Sequence, residues 1–144
     1  MKTTNRFMSV VSLFLVVLLI AAACVSCYAG PTNWEEATVV AEHEVGEGAK
    51  TITLTVINGA NEATVFTVHT DAEYLRGAIE PHGLVGGRED LYGMWVTTVD
   101  GILADESKQE WWQLFEGTEQ ANYGVDTLKI KDGGSYTYVL TVGW

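Results

Sequence analysis

The chain has 144 residues, 47% of them hydrophobic, with 8 Lys+Arg against 19 Asp+Glu and a formal net charge of −11. That length allows one domain, or one domain plus a tail. So acidic a surface repels phosphate and anionic lipid, which excludes a nucleic-acid-binding protein.

Lys2 and Arg6 form a short positive stretch ahead of an apolar run from Phe7 to Ala23, and small residues follow at Ser26, Ala29 and Gly30. This is the three-part layout of a secretory signal peptide, assigned to residues 1–23. The alternative is an uncleaved anchor, because the run is close to the ~18 apolar residues that span a bilayer. Without this segment and its two basic residues the exported chain is more acidic still. Both cysteines, Cys24 and Cys27, fall at the junction. Cysteines confined to a cleavage point suggest lipid attachment rather than a disulfide framework. Ala21-Ala22-Ala23-Cys24 resembles a bacterial lipobox with Cys24 as the lipidated residue, although a larger aliphatic residue is usual where Ala21 stands. Cys27 is the poorer candidate, since its lipobox begins at Cys24, and ordinary secretion with a cut after Ala29 is the competing reading. Residues 24–36 then form a tether, and residues 37–144 the exported domain.

Within the domain, Lys50-Thr51-Ile52-Thr53-Leu54-Thr55-Val56-Ile57 alternates apolar and hydroxyl side chains and predicts a half-buried strand. Asn58-Gly59-Ala60-Asn61 is turn chemistry, and Thr64 to His69 returns as a second strand. Thr70, with Glu73 three residues on, matches a capping box with Thr70 as N-cap. Ala72, Leu75 and Ile79 give the following helix one apolar stripe across about three turns, and Pro81 stops it. A Gly-rich acidic loop, Gly86 to Asp90, leads to a strand over Tyr92–Val99, and Asp100-Gly101 turns the chain. Trp111 to Phe115 reads as a strand ending at Glu116-Gly117. Val125–Lys131 and Tyr136–Val142 supply the last two, separated by Asp132-Gly133-Gly134. The order β-β-α-β-β-β, with extra pairing open to Ala37–Val40, predicts an α+β domain. It is β-grasp-like, a single mixed sheet carrying one packed helix.

Four stretches together resemble a bacterial extracellular family of unknown function, related to the C-terminal domain of transcobalamin and intrinsic factor. They are Thr70-Asp71-Ala72-Glu73-Tyr74-Leu75, Tyr92 through Gly101, Trp111 through Gly117, and Gly124-Val125-Asp126 with Lys131-Asp132-Gly133. The likeness runs from about residue 50 to the C-terminus. This chain has Glu116-Gly117 where the family usually has Asn-Gly, and Gly133-Gly134 where it often has Gly-Asp; both changes fall in turns. The resemblance implies a transcobalamin C-terminal-like fold, a cell-surface location and a cobalamin-like small molecule as the first ligand to consider. The larger helical domain of the vertebrate relatives is missing here, so the resemblance bears on fold more than on ligand.

For chemistry the residues themselves offer little. His43, His69 and His82 match no metal-ligand spacing, and no metal or cofactor is expected. His69 should lie on the solvent side of its strand; by resemblance, it or His82 would be the alternative as an axial cobalt ligand. Glu35/Glu36, Glu89/Asp90 and Asp105/Glu106 read as solvated loop carboxylates, and Asp105, Glu106 and Glu110 lack the spacing of an EF-hand. No Gly-x-Ser-x-Gly elbow is present and the cysteines lie outside the domain, so a non-enzymatic protein is expected. The aromatic residues are the remaining signal. Trp111 and Trp112 must point to opposite faces of a strand, and an exposed indole often marks a contact surface. Tyr92, Trp95, Trp112 and Tyr123 are the candidate ligand contacts, with Trp112 packed inside the fold as the alternative. The expected function is a surface-tethered domain binding a small ligand, or else a structural or adhesive module pairing with another surface protein through a sheet edge.

Overall fold

The computed structural model describes residues 36–144. The proposed signal peptide, Cys24 and all of the tether before residue 36 lie outside the described residues. The architecture is α+β, as expected. A six-stranded mixed sheet runs in the order β1-β3-β2-β9-β7-β8, from β1 (Thr38–Gly46), β2 (Lys50–Ile57), β3 (Glu62–Thr70), β7 (Glu110–Glu116), β8 (Glu119–Gln120) and β9 (Ser135–Val142). β1 pairs with β3 in parallel, as β2 does with β9, and the remaining neighbours are antiparallel. A short helix, α1 (Leu75–Ile79), continues into a 3₁₀ turn at Glu80–His82.

The alternation of β2 works as read. Ile52, Leu54 and Val56 are buried in the main core, while Thr51, Thr53 and Thr55 lie half-buried on the other face. That core joins them to Phe66 and Val68 of β3, Leu75 and Ile79 of α1, and Tyr136 and Tyr138 of β9. Each of the two α1 side chains contributes roughly 1.5–3 kcal/mol by leaving water. Ile57, Ala63 and Val139 form a smaller cluster on the opposite face.

Three local expectations are corrected. Thr70 is not an N-cap but the last residue of β3, and its Oγ1 accepts the Ala72 N–H at 3.0 Å. The helix is shorter because the residues before it pair elsewhere: Glu73 C=O accepts from Ile130 N–H (3.0 Å), and Leu75 and Arg76 N–H donate to Leu128 and Val125 C=O (both 2.9 Å). These tertiary bonds hold Tyr74 extended and displace the capping box. For the same reason Val125–Lys131 is no strand. Apart from a single bridge between Lys129 and Tyr74 it is irregular, burying Val125, Leu128 and Ile130 under the helix region.

The third correction matters for function. The segment expected as a Gly-rich loop forms β4 (Val85–Asp90), which pairs with β5 (Gly93–Val99) and, through it, with β6 (Ile102–Leu103) in a separate three-stranded antiparallel sheet. Asp100 and Gly101, with φ of 48° and 74°, make the two-residue turn between β5 and β6. Val85 and Val99 anchor this small sheet in the main core.

Candidate functional site

Where β5 of the small sheet faces β7 of the large one, the two leave an apolar cleft of about 470 Å³. Trp95, Trp111 and Trp144 line it, together with Arg88, Glu106 and Glu110. A smaller recess of about 170 Å³ shares Trp95 and Trp111 and reaches in to Trp112, Leu114 and Tyr138.

Adjacent tryptophans on β7 diverge, as strand geometry requires. Trp112 turns inward and is 6% exposed; its Nε1 donates to Ile102 C=O (3.3 Å), and its ring meets Tyr138 edge-on at 6.4 Å. Trp111 stays half-buried on the cleft, held by an Nε1 hydrogen bond to Gly143 C=O at 2.7 Å. Trp95 of β5 is 49% exposed and Trp144 79%.

The charges at the rim are arranged by the loop before β7. Asp105 caps a 3₁₀ turn (Glu106–Lys108), accepting the Ser107 N–H at 3.0 Å. Hydrogen bonds from Ser107 and Lys108 hold the Asp105 carboxyl below its usual range. Glu110 Oε2 accepts the Asp105 N–H at 2.8 Å, closing the loop. Glu106 Oε1 accepts from Arg88 Nη1 at 2.9 Å, and the same guanidinium lies 5.8 Å from the Trp95 ring centre. The oxygens of Asp105, Glu106 and Glu110 are thus partly engaged inside the protein. Among the described residues no three His, Cys, Asp or Glu side chains gather as a metal site.

Of the four candidates named from sequence, Trp95 alone lines the tryptophan cleft. Trp112 reaches only the inner recess and is chiefly a core residue. Tyr92 is 94% exposed beside Leu91 at the β4–β5 turn, Tyr123 is 63% exposed in the loop after β8, and neither lines the cleft. Trp111 and Trp144 take their place. Period-two alternation says that one of Trp111 and Trp112 faces out, but not which; the small sheet, absent from the expectation, decides it.

One constellation was missed altogether. Thr51 Oγ1 and His69 Nδ1 lie 3.0 Å apart, and His69 Nε2 lies 2.6 Å from Glu44 Oε1, in a row across β2, β3 and β1. The order is that of nucleophile, base and acid, but none of these residues lines either recess. His43 instead stacks on Phe66 at 5.3 Å.

No family model matches the chain, and no curated protein does. Solved structures do match. A candidate metal-binding protein from Ruminococcus gnavus ATCC 29149 is 42% identical, with a TM-score of 0.65 over 67% of this chain and 100% of its own. This chain belongs to that protein's family. Haptocorrin, solved in complex with Cbi, is 14% identical with a TM-score of 0.57. The match covers 69% of this chain and 27% of haptocorrin, and it shows a shared fold. In the family member the fold accounts for the whole solved chain; in haptocorrin it is one part of a longer one. Among the described residues no helix is long and apolar enough to cross a membrane.

Proposed function

We propose that this chain is an exported, non-enzymatic binding domain, tethered to the cell surface through a lipid on Cys24, that holds a small ligand in the tryptophan cleft. The observation that carries this is the cleft itself. Its volume of about 470 Å³ lies within the roughly 300–1,000 Å³ of small-molecule sites, and three indoles supply broad stacking surfaces with few rotors to freeze. Trp95, Trp111 and Trp144 stack on the ligand, and Trp112 supports them from below. Tyr92 and Tyr123 touch it only if it overhangs the cleft.

A corrinoid is the first ligand to test, because haptocorrin shares the fold and was solved with Cbi. The full chain in a non-ionic detergent is titrated with cobinamide while tryptophan fluorescence is followed, with free tryptophan correcting for absorbance. Saturable quenching, weakened in Trp95→Leu and Trp144→Leu, is expected. No saturation up to ~1 mM, where binding is worth only about 4 kcal/mol, would remove the corrinoid. For the tether, the mass of the mature chain should show an acylated Cys24, and Cys24→Ser should release the protein to the medium. A mature N-terminus at Gly30 would mean secretion instead.

A second reading is favoured by β1, an edge strand whose Val39 and Val40 are exposed. A surface partner could add a strand there. In that case lysine at both positions reduces attachment to the partner, and substitutions in the cleft leave it unchanged.

A further inference from the structure

We infer that the cleft selects an organic cation, an apolar body carrying a quaternary or protonated amine. The inference rests on the proposed small-ligand site and names the class of ligand that the site takes.

Indole faces carry negative electrostatic potential and attract cations, most strongly where a carboxylate stands nearby. The protein already uses this combination once within the cleft. The Arg88 guanidinium lies 5.8 Å from the Trp95 ring centre and donates to Glu106 at 2.9 Å. Across the cleft the same ingredients recur, and among the described residues no side-chain cation lies on them: the rings of Trp111 and Trp144, and the carboxylate of Glu110. No ion pair among the described residues involves Glu110; its Oε2 accepts the Asp105 N–H, and Oε1 is left. With Arg88 offsetting Glu106, the lining keeps one uncompensated negative charge, in a chain of net charge −11 that concentrates cations around it.

The competing classes fit less well. An anionic ligand would meet two carboxylates, with Arg88 committed to one of them. A bare calcium or magnesium ion takes six or more oxygen ligands and zinc about four from Cys, His or carboxylate; three indoles and one available carboxylate supply neither set. A neutral apolar ligand fills the rings and leaves Glu110 partly stripped of water with nothing opposite it.

The test compares choline with 3,3-dimethyl-1-butanol, which has the same shape without the charge. Each is titrated into the full chain in a non-ionic detergent, with tryptophan fluorescence as the readout. Choline should half-saturate at a concentration roughly tenfold lower than the alcohol, the scale of a partly desolvated cation–π contact. Added sodium chloride should narrow that gap. Glu110→Gln keeps an acceptor for the Asp105 N–H while removing the charge, and should weaken choline several-fold without affecting the alcohol. Trp144→Leu, at a largely exposed position, should weaken both. Equal affinities for the two probes, or no effect of Glu110→Gln, would overturn the cation and leave the cleft a binding site. Failure of both probes to saturate would also overturn it; the cobinamide titration then judges the cleft separately.

Discussion

Asp126 ties together the parts of the molecule that carry the cleft. Its Oδ1 accepts from Arg76 Nη1 of α1 at 2.6 Å, and its Oδ2 accepts the Met94 N–H of β5 at 2.7 Å. Arg76 in turn holds Glu80 and Glu89, so one guanidinium joins the helix, β4 and the loop before β9. Burial pushes the Asp126 carboxyl up, but the hydrogen bonds from Arg76 and Met94, with the charge of Arg76, outweigh it and leave the group below its ordinary value. Glu80 is lowered as well, chiefly by its hydrogen bond from Arg76. A carboxyl whose folded pKa is depressed contributes stability above its unfolded pKa, about 4, and loses it as the pH falls through the folded value. Thermal stability should therefore be flat from pH 7 to about 5 on this account and decline below about 4. Asp126→Asn keeps an acceptor for Met94 and abolishes the charge. It should cost about 1–2 kcal/mol at pH 7 and flatten the acid limb of a melting series. An unchanged acid limb would mean that other carboxylates set it. The Gly124-Val125-Asp126 stretch, noticed in the sequence only as part of a resemblance, has this physical content: Val125 is buried and its carbonyl receives Arg76 N–H, while Asp126 clamps β5.

At the scale of elements, the β4–β5 hairpin was the part least legible in the sequence. The strands with clean alternation, β2 and β3, stand where the pattern puts them, because one face of each is buried. β4 reads Val-Gly-Gly-Arg-Glu-Asp, with one buried apolar residue and an acidic end, so hydrophobic periodicity has nothing to report. It is a strand because β5 supplies a backbone partner. Gly87 is what lets that partner approach. A Cβ on Gly87 would lie 2.0 Å from the Trp95 carbonyl oxygen, beside the register shift between Gly86 and Gly87, whereas one on Gly86 would meet only the Thr98 Cβ at 4.0 Å. Gly87→Ala must spread the pair exactly where Trp95 is mounted, and should cost about 1–3 kcal/mol and weaken binding in the cleft. Gly86→Ala should do neither. Urea midpoints of the two variants, measured side by side, check this; equal midpoints would mean that the hairpin gives way at no cost. The capping box at Thr70 failed for a related reason. A local motif worth about 1 kcal/mol was overridden by three backbone hydrogen bonds to a segment 49 to 57 residues away, whose arrival no local pattern announces.

For the molecule as a whole, the cleft exists because two sheets meet, and Trp112 is the side chain that spans the junction. It leaves β7, packs edge-on against Tyr138 of β9, and donates to Ile102 of β6, so the large and small sheets share one indole. Burial holds the Tyr138 phenol well above its usual range, which keeps that ring neutral and suited to the packing. The tryptophans of β5 and β7 were legible in the sequence as residues of two strands, with core packing and a contact surface both left open. The division of labour between Trp111 and Trp112 was not, because it depends on which side the small sheet lies. That division gives a test in which stability and binding separate. Trp112→Leu removes the bridging ring and its hydrogen bond, and should destabilise the fold by about 2–4 kcal/mol. It should also weaken cleft ligands, since the small sheet loses its hold on the large one. Trp144→Leu, at the rim, should weaken the same ligands with a change in stability under about 0.5 kcal/mol. Denaturant midpoints and fluorescence titrations on both variants give the four numbers required. If Trp112→Leu lost stability yet bound ligand as tightly as the parent, Val85 and Val99 would be enough to place the small sheet, and the indole would be a core residue with no part in shaping the cleft.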